Sequence, residues 1–133
     1  MAIAVACLGC GSGGDYRVAP VTGKVLVDGE PLTAAKVMFT PVASEGGMMA
    51  GKAGLGTVKD GGSFAVSTYG SRDGAVVGDH RVTIIDRKDT PSDGRRLGVR
   101  RVRLPDTYTV VSGQDNEFAI ELSAQIIKRH ATR

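Results

Sequence analysis

The residues of this chain with the most chemical potential are two cysteines, two histidines and a run of arginines. His80 and His130 are the only histidines. Neither stands in a spacing such as His-Glu-x-x-His, which sets two imidazoles on one helical face to share a zinc ion. Serine hydrolysis would call for Gly-x-Ser-x-Gly at a sharp strand-to-helix turn, and that pattern does not occur. Asp60-Gly61 could contribute oxygen to calcium, but an EF-hand loop needs several more ligands at fixed spacing, and a hairpin turn explains the pair better. His80 reads as a ring at the edge of a core in preference to a general base. No catalytic residue, metal site or cofactor is expected.

The cysteines carry a different kind of chemistry. Cys7 and Cys10 both lie near the start, and none follows, so no disulfide can form inside a folded body. Residues 2–8 are apolar and end in small side chains before Cys10, with the glycine-rich stretch Gly11-Ser12-Gly13-Gly14 behind it. Leu8-Gly9-Cys10 resembles the lipobox of bacterial lipoprotein precursors, in which the cysteine becomes the acylated first residue of the mature chain. That resemblance implies lipidation at Cys10 and attachment to a membrane, because a multiply acylated cysteine holds where a single chain would anchor only marginally. No Lys or Arg precedes the apolar run and the run is short, so residues 1–19 are read as a truncated signal followed by a tether. A disordered apolar N-terminus and a reactive cysteine pair are the competing readings.

Five arginines, Arg95, Arg96, Arg100, Arg101 and Arg103, crowd one short stretch, while the formal net charge of 133 residues is only +3. Such runs usually face water as solvated loops. Single-stranded nucleic acid would also want aromatic stacking platforms among the cations, and none is interleaved here, so nucleic acid is not an expected partner.

The elements that must position these residues are strands. Nineteen glycines weaken helix interiors and supply tight turns. Val21, Gly23, Val25 and Val27 alternate with Thr22, Lys24 and Asp28, as a half-buried strand requires. Asp28-Gly29 then offers a turn. Alternation returns in Ala35, Val37 and Phe39 until Pro41. Residues 43–54, with Met48 and Met49, follow neither period and read as a long loop. Leu55-Gly56-Thr57-Val58, a turn over 59–62 and a strand over 63–68 form a hairpin signal, with Leu55, Phe64 and Val66 pointing inward. A strand over 79–85 buries His80, Val82 and Ile84, and one over 117–122 buries Phe118, Ile120 and Leu122. Residues 86–98 read as an exposed charged loop, with short strands over 99–104 and 108–111. Residues 125–133 form a basic tail of unassigned structure.

Short strands separated by turns, with no helical period, predict an all-β fold of two face-to-face antiparallel sheets. The ordered segments Val21-Thr22-Gly23-Lys24-Val25-Leu26-Val27-Asp28-Gly29-Glu30-Pro31-Leu32, Ala35-Lys36-Val37-Met38-Phe39-Thr40-Pro41, Gly61-Gly62-Ser63-Phe64, Asp73-Gly74-Ala75, Gly78-Asp79-His80-Arg81-Val82-Thr83-Ile84, Leu104-Pro105-Asp106-Thr107-Tyr108 and Asn116-Glu117-Phe118-Ala119-Ile120-Glu121-Leu122 together resemble a carboxypeptidase regulatory-like domain. The resemblance implies a transthyretin-like, prealbumin-type β-sandwich of about seven strands over residues 20–124, without catalytic residues of its own. It also implies an aromatic ring at the position of His80. Such domains occur in small exported lipoproteins, so the expected protein is a non-catalytic binding or structural module tethered in the cell envelope. Carbohydrate binding at the cell surface is the alternative, weakened by the absence of Trp. A transthyretin-related hydroxyisourate hydrolase is disfavoured because its chains end in Tyr-Arg-Gly-Ser, whereas this one ends His130-Ala131-Thr132-Arg133.

Overall fold

A computed structural model describes residues 17–42, 51–87 and 95–132. Cys10, Met48 and Met49 lie outside the described residues. The elements in chain order are β1 (Val18–Ala19), β2 (Val21–Val27), β3 (Glu30–Pro31), β4 (Ala35–Pro41), β5 (Gly54–Thr57), β6 (Ser63–Ala65), β7 (Ala75–Val76), β8 (Gly78–Asp86), β9 (Arg101–Val110), β10 (Asn116–Leu122), α1 (Ala124–His130) and β11 (Ala131–Thr132), with a 3-10 turn at Asp60–Gly62. One sheet runs β11-β9-β8-β4-β5. A second centres on β2, with β10 on one side and β3 and β6 on the other, and β1 pairs with β7 in a separate two-stranded ribbon. The fold is an all-β sandwich, as the alternation predicts.

The core fills the space between these sheets. Val25, Val27, Val37, Phe39, Val66, Val82 and Ile84 have no exposed surface, and Phe64, Ile120 and Leu122 are buried with them. Excluding such aliphatic and aromatic surface from water is the main force holding the layers together. Asp28 and Gly29, with φ of 50° and 83°, make the two-residue turn that pairs Val27 with Glu30, the positive-φ geometry that matches the twist of a hairpin.

Several expectations need correcting. The sheets are not wholly antiparallel, because β10 pairs with β2 in parallel, Asn116 opposite Val21 through Leu122 opposite Val27. The chain reaches β10 from β9 in the other sheet, and a connection that changes sheets does not impose the reversal that a hairpin imposes. Asn116 secures the arrival. Its backbone N–H donates to the Pro20 carbonyl at 2.9 Å. Its buried side chain accepts from Val111 N–H at 2.9 Å and donates to the carbonyls of Pro20, Val111 and Gln114 at 3.1 to 3.2 Å.

The hairpin expected over 55–68 is a corner between the two sheets. β5 pairs with β4 and β6 pairs with β2, and the chain beyond β6 returns to β5 through an antiparallel bridge between Leu55 and Ser67. The parity of β5 is also the reverse of that expected. Gly54 and Gly56 face inward, and Leu55 is 44% exposed. A Cβ on Gly56 would sit 2.8 Å from the Ala65 carbonyl oxygen, closer than packed atoms tolerate, so a glycine-lined inner face is what lets the corner close.

The two short strands over 99–104 and 108–111 are one strand, β9. It bulges at Leu104-Pro105-Asp106, since Arg81 opposes Thr107 and Thr83 opposes Arg103. An irregularity of this kind accommodates Pro105, which has no N–H to give to a ladder. The region 86–98 is only partly an exposed loop. Leu97 is buried, and Arg95 bridges Leu32 and pairs with Asp28 at 3.5 Å. Residues 124–130 form α1, capped by the Ser123 hydroxyl on Ile126 N–H. The helix inserts Ile127 into the core and carries Lys128, Arg129 and His130 in its last turn, where positive charge suits the helix dipole.

Candidate functional site

Every second residue of β2, β6 and β10 must face away from the core, and these outward residues line an open groove. Cross-strand register sets Thr22 beside Ala65 and Glu117, and Lys24 beside Ser63 and Ala119. The groove extends across the corner to Leu55, Thr57 and Lys59, reaches Arg72 at its end, and encloses about 740 Å³. Its floor is made of small and hydroxyl side chains, which hold it open. Lys24, Lys59, Arg72 and Glu117, all exposed, leave an excess of positive charge around it.

The wall beneath is rigid. Phe64 is buried against the inward side of Gly23, where a Cβ would lie 2.7 Å from the ring and would also strike the Phe118 carbonyl. Gly23 is therefore the position on the inward face of β2 at which a ring from the neighbouring strand replaces a side chain. The Arg72 end rests on a loop tied by Asp73, whose carboxylate accepts from Thr68 N–H at 2.7 Å and from Tyr69 and Gly70 N–H at 3.0 Å. Partial burial works against that charge, but the backbone donors outweigh it and hold the carboxyl below its ordinary pKa. The Ser67 hydroxyl accepts from Arg72 N–H at 2.7 Å, fixing the backbone that carries the guanidinium.

His80 is remote from this groove. It is fully buried, packs edge-on to Phe39 at 5.7 Å, and its Nε2 bonds the Val76 carbonyl. It is the core ring the sequence predicts, placed deeper than a core edge. Burial pushes its pKa below the ordinary value, opposed by the Val76 and Phe39 carbonyls and the Asp79 charge, while Nδ1 has no hydrogen-bond partner among the described residues. A folded-state pKa below 6.5 means that the unfolded chain binds the proton first as pH falls. Stability should accordingly be full above about pH 6.5, decline as pH drops from there toward the folded-state value, and level off below it. Denaturant titrations from pH 7.5 to 4.5 should show this decline in the native chain and not in His80→Phe; an equal slope in both would assign it to other groups.

Among the described residues no cluster of three or more His, Cys, Asp or Glu could hold a metal ion, and no helix is long and apolar enough to cross a membrane. Of the five arginines, Arg95 and Arg96 are tied to the fold. Arg96 reaches Asp86 at 3.5 Å and the Arg87 carbonyl at 2.9 Å, while Arg100, Arg101 and Arg103 are exposed.

Fold and site together define a small all-β sandwich with a cationic groove across one sheet. The chain matches no family model, no curated protein and no solved structure.

Proposed function

We propose that this chain is a non-catalytic binding module, tethered in the cell envelope through Cys10, whose groove receives an extended acidic segment of a partner protein. The observation that carries the reading is the groove itself, a long open floor of Thr22, Ser63 and Ala65 edged by Lys24, Lys59 and Arg72. The openness suits an extended chain, and the charge supplies attraction and orientation to a carboxylate-bearing one. Nothing in the groove pairs a nucleophile with a base. His80, the one histidine in the core, has no path to solvent. The resemblance to carboxypeptidase regulatory-like domains and the Leu8-Gly9-Cys10 motif support the non-catalytic and tethered parts of the reading.

Surface carbohydrate binding is the second reading, favoured by the hydroxyls of Thr22, Thr57, Ser63 and Ser67. It lacks a ring to stack on, since Phe64 is buried and Phe118 packs against the core.

Both halves of the proposal have a direct test. A hexaglutamate peptide titrated into isotopically labelled protein should shift the amides of Thr22, Ser63 and Ala65, and Lys24→Gln/Arg72→Gln should weaken binding about tenfold. Shifts confined to other faces, or an undiminished affinity in the variant, would remove the groove from the argument. In bacteria, a fatty-acid label should enter the native chain and not Cys10→Ser, and an unlabelled native chain would remove the tether.

A further inference from the structure

The other sheet carries a second cationic surface of different shape. Register across β4, β8 and β9 places Lys36, Ile85 and Arg101 in one row, Met38, Thr83 and Arg103 in the next, and Thr40, Arg81 and Thr107 in a third. Alternation turns these side chains to the outer face, where Thr83, at the centre of the three rows, is itself buried. Four cations thus share three adjacent rows that contain no acid. Asp79 sits one row further on and accepts from the Thr109 hydroxyl at 2.6 Å, and the exposed Asp106 lies in the β9 bulge between Arg103 and Thr107. Among the described residues the ion pairs are Arg95 with Asp28 and Arg96 with Asp86, so none neutralises Lys36, Arg81, Arg101 or Arg103. Between the cations runs an apolar strip, with Met38 and Ile85 half-buried and the exposed Leu55 opposite Met38 on β5.

We propose that this sheet face docks flat against an anionic lipid bilayer. A sheet face is broad and shallow, as a membrane surface is, and its cations stand over phosphate headgroups while Met38, Ile85, Leu55 and the aliphatic arginine stems meet the interfacial carbon. Single-stranded nucleic acid would call for aromatic platforms between the cations, and these rows contain none. Docking by this sheet turns the β2, β6 and β10 side of the groove away from the bilayer and sets Leu55, at the groove's rim, against it. The inference draws on the tethered reading only for why a bilayer is at hand, and its test dispenses with the acyl chain.

The full chain carrying Cys10→Ser should co-sediment with vesicles of 3:7 phosphatidylglycerol and phosphatidylcholine at low salt. It should be released as ionic strength rises and a shortening Debye length screens the attraction. It should not sediment with phosphatidylcholine alone. Each neutralised cation should cost about fivefold, so Arg101→Gln/Arg103→Gln should weaken sedimentation about 25-fold, while Lys24→Gln/Lys59→Gln in the groove leaves it unchanged. Both variants alter exposed side chains, and matched thermal melts verify that they fold. The proposal is overturned by equal binding to neutral vesicles, by no binding to either, by an undiminished Arg101→Gln/Arg103→Gln variant, or by tighter binding to a DNA oligonucleotide than to the acidic vesicles. Failure of fatty-acid labelling at Cys10 with intact vesicle binding would sink the tether alone.

Discussion

Phe39→Ala is expected to remove about 4 kcal/mol of folding free energy, near the upper end for truncating a buried aromatic. Phe39 has no exposed surface and packs against four rings drawn from both sheets. On its own sheet it meets His80 at 5.7 Å and Tyr108 at 6.3 Å; across the core it meets Phe64 at 6.3 Å and Phe118 at 5.7 Å. Truncation would therefore leave a void bounded by rings from β6, β8, β9 and β10 at once, and stiff rings close such a void poorly. Against a total stability on the order of 5–15 kcal/mol for a domain, the variant should be marginal at room temperature. Phe39→Leu, which keeps most of the volume, should cost less than half as much. Urea midpoints of the three proteins decide the matter: a loss below about 1 kcal/mol for alanine would mean that the layers are held elsewhere.

A polar side chain should come close to the same effect. Asn116→Ala is expected to cost about 3 kcal/mol, because the Asn116 amide supplies both donor and acceptor where the chain crosses between sheets. Its removal leaves Val111 N–H without its acceptor and takes the Nδ2 donor from three carbonyls, those of Pro20, Val111 and Gln114. Asn116→Asp is the informative companion. A carboxylate can still accept from Val111 but cannot donate to the carbonyls, and it brings charge to a site only 6% exposed. It should be at least as damaging as alanine at neutral pH and recover partly in acid, where the protonated carboxyl can donate once. A neutral-pH stability of Asn116→Asp equal to that of the native chain would show that the donor half of the amide contributes nothing.

The strands with strict alternation are legible in the order of the residues alone. Val25 and Val27, Val37 and Phe39, Val82 and Ile84, and Ile120 and Leu122 each show a period of two, and each pair is buried. Leu55 points outward against its hydrophobicity because the tight corner at β5 puts glycines on the inner face. α1 leaves no trace in the residue pattern because a seven-residue helix burying one side chain, Ile127, has no periodicity. The groove is illegible for a different reason. Thr22, Ser63 and Ala119 are unremarkable polar and small residues, and they become a surface only through the register of three strands distant along the chain. Asp73 likewise carries its meaning in the backbone donors around it, which no spacing of residue types reveals. The arginine run is legible as charge but not in its division, with Arg95 and Arg96 bound to Asp28 and Asp86 and Arg101 and Arg103 side by side on the outer face of β9.

The parallel pairing of β2 with β10 bears on when the molecule can fold. The first long strand is a core strand of its sheet, and the partner along one whole side of it is the last long strand to be made. Pairings so distant in sequence close large loops and form slowly. A nascent chain therefore cannot complete this sheet until its C-terminal quarter is available.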